Sequence, residues 1–154
     1  MAANATDYFA IQNTIAQYCF ALDSKDFDAL KQVFTENVDT IYPFRGAIKG
    51  VQAVADAIKK RLTPVTSQHA LTTQHIVIAP SGKAADVTTY FTGIHFGQGK
   101  WKGQQVTAWG KYIDRLVCVQ DATALAGASG KWLIERREVV FMARLGEEGV
   151  MEAE

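Results

Sequence analysis

No sign of charge dominates this chain. Lys and Arg total 16 and Asp and Glu total 16, so the formal net charge at pH 7 is zero. No whole-chain field draws a polyanion, and nucleic acid is not expected as a partner. Cysteine is nearly absent. Cys19 and Cys118 stand far apart in apolar surroundings, without CxxC spacing or the density of a disulfide framework, and read as buried free thiols. Long hydrophobic runs are missing too. The N-terminus lacks a basic stretch followed by an apolar one, and no segment approaches the roughly 18 consecutive apolar residues of a membrane span. A soluble cytoplasmic protein without membrane contact is the expectation.

Familiar chemical motifs are equally scarce. GxSxG, the P-loop, GxGxxG and a nucleophile motif are all absent. "GQGKWKGQ" lies between two predicted strands and opens no helix, so it reads as a hairpin loop and not as a phosphate cradle. The three histidines, His69, His75 and His95, form no HxH, HExxH or His–Cys group, so no metal is expected. With no cofactor expected either, chemistry is confined to proton transfer: dehydration, isomerisation, cyclisation or elimination.

What is present is clear periodicity. Ile11, Ile15, Tyr18 and Leu22 recur every three or four residues and form one stripe of an amphipathic helix. "SKDFDALKQVF" repeats the pattern in a second, shorter helix, with Ser24 or Asp26 available as its cap. Val51, Val54, Ile58 and Leu62 mark a third, ending before Pro64. Beyond Pro64 the chain turns to Val, Ile, Thr and aromatic residues. "ALTTQHIVIA", "AADVTTYFTGIHF", "QQVTAWGKYIDRLVCV" and "KWLIERREVVFMAR" predict four long strands, with a minor hairpin near residues 39–48. The fold class is α+β: three N-terminal helices covering one face of an antiparallel sheet, as a single domain over residues 1–145. Residues 146–154 form an acidic tail expected to fray.

The ordered phrases "CFALDSKDFDALKQVF", "FRGAIKGVQAVADAI", "TSQHALTTQHIVI", "GKAADVTTYF", "WGKYIDRLV" and "GKWLIERR" resemble the SnoaL-like branch of the nuclear transport factor 2-like superfamily over nearly the whole chain. The resemblance implies a cone-shaped α+β roll, a strongly curved sheet wrapped around the first helix with an apolar pocket open at one end. It further implies a pairing of an aspartate at the end of that helix with a histidine on a strand. Asp23 and His69 occupy those places and stand as the catalytic candidates.

Helix geometry is compatible with this pairing: Asp23 lies about 40° beyond Cys19, at the border of the apolar stripe. A carboxylate on His Nδ1–H fixes the tautomer and raises basicity, leaving Nε2 to take a proton beside a carbonyl. Tyr42, Tyr18, Trp109 and Arg137 are substrate-binding candidates. Strand alternation sends only one of Arg136 and Arg137 inward, and Arg137 faces the pocket only if its face is the inner one or a bulge lies upstream. In one unbroken strand His75 would share a face with His69, about 20 Å away. His95, beside a Gly-rich hairpin, reads as a solvent-facing loop residue in preference to one lining the pocket mouth. The implied activity is a cofactor-independent lyase or isomerase, acting on a small apolar, aromatic or polyketide-like substrate, as a homodimer or homotrimer. The alternative is a non-catalytic binding or oligomeric accessory module on the same fold.

Overall fold

The computed structural model describes residues 3–152. Helix α1 (Ala5–Asp23) begins at Asn4, whose side chain accepts from the Thr6 N–H, satisfying one of the free amides of the first turn. Asp7 is buried in the same turn and accepts from both the backbone N–H and the hydroxyl of Ser129, which pins the helix to the last long loop. The periodic stripe is the buried face: Ile11, Ile15, Tyr18 and Leu22 are all nearly inaccessible. Each such side chain contributes about 1.5–3 kcal/mol of burial.

The segment after α1 is tighter than its pattern predicts. Phe27–Gln32 forms a 3-10 turn capped by Asp26, and the chain is already extended at Phe34. Strand β1 (Phe34–Tyr42) turns back as β2 (Gly46–Lys49), followed by helix α2 (Val51–Leu62) and four long strands, β3 (Val65–Ile78), β4 (Ala84–Gly97), β5 (Gln105–Val119) and β6 (Lys131–Gly146). Their order in the sheet is β2-β1-β6-β5-β4-β3. Every pair is antiparallel except β1 with β6, which runs parallel. The exception has a simple origin, because β1 enters from a helical segment and no tight hairpin fixes its direction relative to β6. The curved, unclosed sheet and the helices packed on it form the α+β cone of the nuclear transport factor 2-like fold.

Of the register shifts in the sheet, two decide where the candidate residues of β3 and β6 point. In β3 the register slips between Leu71 and Gln74; Ser67, His69 and Leu71 face inward before it, while His75 after it is exposed. In β6 Ile134 faces Leu116 and Arg136 faces Arg115, leaving Glu135 as the extra residue. Arg136 consequently points out and Arg137 is fully buried. The tail also departs from expectation: Glu148–Met151 forms a 3-10 turn with Val150 and Met151 buried. These two apolar residues anchor it, while residues 153–154 lie outside the described part. Among the described residues, no helix is long and apolar enough to cross a membrane.

Candidate active site

The last turn of α1 delivers Asp23 to the edge strand. Lys25, which follows in a left-handed conformation at φ 61°, donates from Nζ to the Leu62 carbonyl at 2.9 Å and ties the C-terminal ends of the two helices together. Asp23 Oδ1 lies 2.7 Å from His69 Nδ1 and accepts from the Ser67 hydroxyl at 2.9 Å; its Oδ2 accepts from the His69 backbone N–H at 2.8 Å. Burial pushes the Asp23 carboxyl up, but the hydrogen bonds from the His69 ring and backbone, the charge of His69 and the Ser67 hydroxyl together outweigh it, so the pKa sits below the ordinary carboxylate value. An ionised Asp23 accepts Nδ1–H, which leaves His69 Nε2 as the ring nitrogen free toward the cavity.

That cavity occupies the open end of the cone. Its volume is about 60 Å³. Its walls are mostly apolar: Leu22, Ile58, Leu62, Phe91, Tyr112, Val139 and Phe141 line it, with Pro43, Phe44 and Met151. The polar atoms come from His69, His95, Tyr18, Tyr42, Arg61 and Arg144. Room for the imidazoles is provided by Gly93, which pairs with His69 on one side and Ala108 on the other. A Cβ at Gly93 would lie 3.2 Å from His69 Cδ2 and 3.3 Å from its Nε2.

His95 corrects the expectation of a solvent-facing loop residue. Strand β4 continues through it, and its side chain is buried on the inner face with its ring edge-on to His69, centroids 5.6 Å apart. Burial, and then the charge of His69, lower its pKa to about 4, although the Val106 backbone opposite works weakly the other way. It is therefore neutral at pH 7, and its Nδ1 is buried without a hydrogen-bond partner.

Tyr18 and Tyr42 meet at the cavity wall with hydroxyl oxygens 3.0 Å apart. Burial, only partly offset by the nearby Arg137 charge, pushes Tyr18 up to about 12, so it remains a phenol. Arg137 lies behind this wall and does not line the cavity. Its Nε and one terminal nitrogen each donate to Asp114 at 2.7 Å, and its guanidinium stacks 4.3 Å from the Tyr18 centroid and 4.0 Å from that of Tyr112. Burial, only partly offset by Arg137, leaves the Asp114 carboxyl above its ordinary value, yet accepting two such bonds from a guanidinium requires the carboxylate. Burial also works against the Arg137 charge, and Asp114 outweighs it, holding the guanidinium protonated. Direct substrate contact by Arg137 is thus corrected to support from beneath.

Trp109 is a further correction. It differs from inward Tyr112 by three positions, so alternation turns it to the outer face, where it is partly exposed. His75 is likewise outside. The sequence reading passed over Arg61 and Arg144 and preferred a loop position for His95 over the pocket mouth; for His95 the available signal was the alternation Val87, Thr89, Phe91, Gly93, His95 along β4. Among the described residues, no three His, Cys, Asp or Glu side chains cluster in a metal-binding arrangement.

Comparison with known proteins agrees with this architecture. A SnoaL-like domain model matches residues 3–138. The chain belongs to the SnoaL-like domain family. A candidate scytalone dehydratase from Novosphingobium aromaticivorans is 21% identical, with TM-score 0.77 over 92% of this chain and 88% of the other. A protein from the same species described as a candidate aromatic ring hydroxylase is also 21% identical, with TM-score 0.78 over 98% and 100% of the two chains. A hexachlorocyclohexane dehydrochlorinase from Novosphingobium barchaimii shares 12% identity, with TM-score 0.75 over 97% and 95%. At these identities the likeness establishes the fold. No curated protein sequence matches the chain.

Proposed function

We propose that this protein is a cofactor-independent lyase or isomerase acting on a small cyclic or aromatic carbonyl compound, with His69 as general base and Asp23 as its orienting partner. The observation that carries the reading is the 2.7 Å contact from Asp23 to His69 Nδ1, on a histidine that lines a mostly apolar cavity. Asp23 holds the ring with Nδ1 protonated, so the Nε2 lone pair takes a proton from the carbon next to the substrate carbonyl. Negative charge then develops on the carbonyl oxygen. The Tyr18–Tyr42 pair has two phenolic protons and consumes one between its own oxygens, so the other is available to that oxygen.

In a dehydration, the C–O bond to a β-hydroxyl breaks as the C=C bond forms. The proton on Nε2 leaves with that hydroxyl as water, restoring neutral His69. In an isomerisation the same proton returns to a different carbon. Neutral His95 is placed to hydrogen-bond the departing group. Phe91, stacked on Tyr112 with centroids 4.4 Å apart, offers a flat wall to a ring-shaped substrate.

The test is a panel of cyclic β-hydroxyketones and β,γ-unsaturated ketones, followed by the absorbance of the conjugated enone. Conversion by wild type that disappears in folded His69→Ala is the expected result. Equal conversion by both removes the dyad. Tight binding of panel members without any conversion favours the non-catalytic module.

A further inference from the structure

Arg61 and Arg144 both line the cavity, but only one of them has a carboxylate partner. Of the two arginines there, Arg144 is committed to Glu148, donating from two nitrogens at 2.8 and 2.6 Å. Arg61, in the last turn of α2, makes no ion pair or hydrogen bond among the described residues; its guanidinium lies 5.6 Å over the Phe44 ring. Burial, followed by the like charge of Arg144, holds its pKa below the ordinary arginine value, while Glu148 works the other way. A guanidinium nonetheless stays charged at neutral pH. Arg144 has its carboxylate in Glu148, which leaves the Arg61 guanidinium without an ionic partner on the cavity wall.

We infer that the substrate carries a carboxylate, and that Arg61 grips it at the cavity mouth while the reacting carbon lies against His69. A half-buried guanidinium with unused donors is costly in the empty protein, and the cost is recovered when a planar two-oxygen anion accepts from its fork. A single unpartnered guanidinium matches a monoanion. Arg61 and His69 line the same cavity, so one small molecule can meet both. The inference rests on reading this cavity as a substrate site, but not on the proton-transfer chemistry.

The experiment is calorimetric titration of benzoate and of benzamide, its neutral counterpart of the same shape, into wild type, Arg61→Gln and His69→Gln at neutral pH. Benzoate is expected to bind wild type about tenfold or more tighter than benzamide, the scale of about 1.4 kcal/mol from one charge-assisted contact. The preference should vanish in Arg61→Gln, with benzamide affinity unchanged, and persist in His69→Gln. If the Gln variant melts early, Arg61→Met, which keeps the stem packed on Phe44, replaces it. No preference in wild type, or a preference that survives loss of Arg61, overturns the inference. A preference that obeys Arg61 in a protein that converts no carbonyl compound leaves the anion site standing while the lyase reading falls; conversion without the preference does the reverse.

Discussion

The buried His95 makes stability depend on pH in a calculable way. In the unfolded chain its imidazole takes up a proton near pH 6.5, whereas in the folded protein it does so only near 4. Between those values the unfolded state binds more protons, so stability rises with pH. The contribution is fully present above pH 6.5 and is lost as pH falls toward 4. At roughly 1.4 kcal/mol per pH unit the whole gap corresponds to on the order of 3 kcal/mol, of which about 2 kcal/mol is already lost by pH 5. The side chain is only 6% exposed, so solvent screening does not erase the effect. Other groups titrate in the same range, and His95→Gln serves as the control that subtracts them. Urea denaturation followed by tryptophan fluorescence, at pH 7.5 and pH 5 for both proteins, gives the comparison. Wild type should lose about 2 kcal/mol more than the variant between the two pH values. Parallel losses would refute the claim that His95 is held neutral by burial.

Other consequences are equally direct. Arg137→Met leaves Asp114 buried and unpaired and should cost about 3–5 kcal/mol in urea denaturation, whereas the double variant Asp114→Leu/Arg137→Met should recover much of it; a double variant as unstable as the single one contradicts this. Asp23, whose folded pKa is lowered, contributes stability above about pH 3.9 that is lost as pH falls through its folded value, so Asp23→Asn should flatten the acid limb of a melting-temperature profile below pH 4. Gly93→Ala should displace the His69 ring by a few tenths of an ångström while the protein stays folded, detectable as a changed His69 nitrogen resonance with unaltered circular dichroism. Tyr90, Trp109 and Ile113 are exposed on the outer sheet face, which suits a partner subunit; sedimentation at micromolar concentration should show a dimer or trimer, and only monomer in that experiment counts against it.

The fold was legible where local periodicity carried it. The stripe Ile11, Ile15, Tyr18, Leu22 is the buried face of α1, and the four Val/Thr/aromatic segments are β3 to β6. Asp23 could be placed at the border of its stripe, and the family resemblance singled out His69. The bulges left no periodic trace, because an extra residue in a strand looks like any other residue. Yet the one near Thr72 and Thr73 turns His75 outward, and the one at Glu135 turns Arg137 inward. The parallel β1–β6 pair joins the first strand to the last, a non-local contact that no short window reveals. His95 was misread because nearby glycines suggested a loop, although β4 runs to Gly97. Arg61 belongs to the basic last turn of α2 with Lys59 and Lys60, and only the packing of α2 against the cone brings it to the cavity.

The central claim is that His69 Nε2, oriented by Asp23, is a general base within an apolar cavity. Proton abstraction from 5-nitrobenzisoxazole tests it without knowledge of the natural substrate, since ring opening needs only a positioned base and releases a coloured phenolate. Wild type should accelerate the reaction well beyond the same concentration of free imidazole. His69→Ala should lose roughly a hundredfold of that rate, Asp23→Asn somewhat less, and His75→Ala almost nothing. An unchanged rate in folded His69→Ala, or wild type no faster than free imidazole, would contradict the assignment.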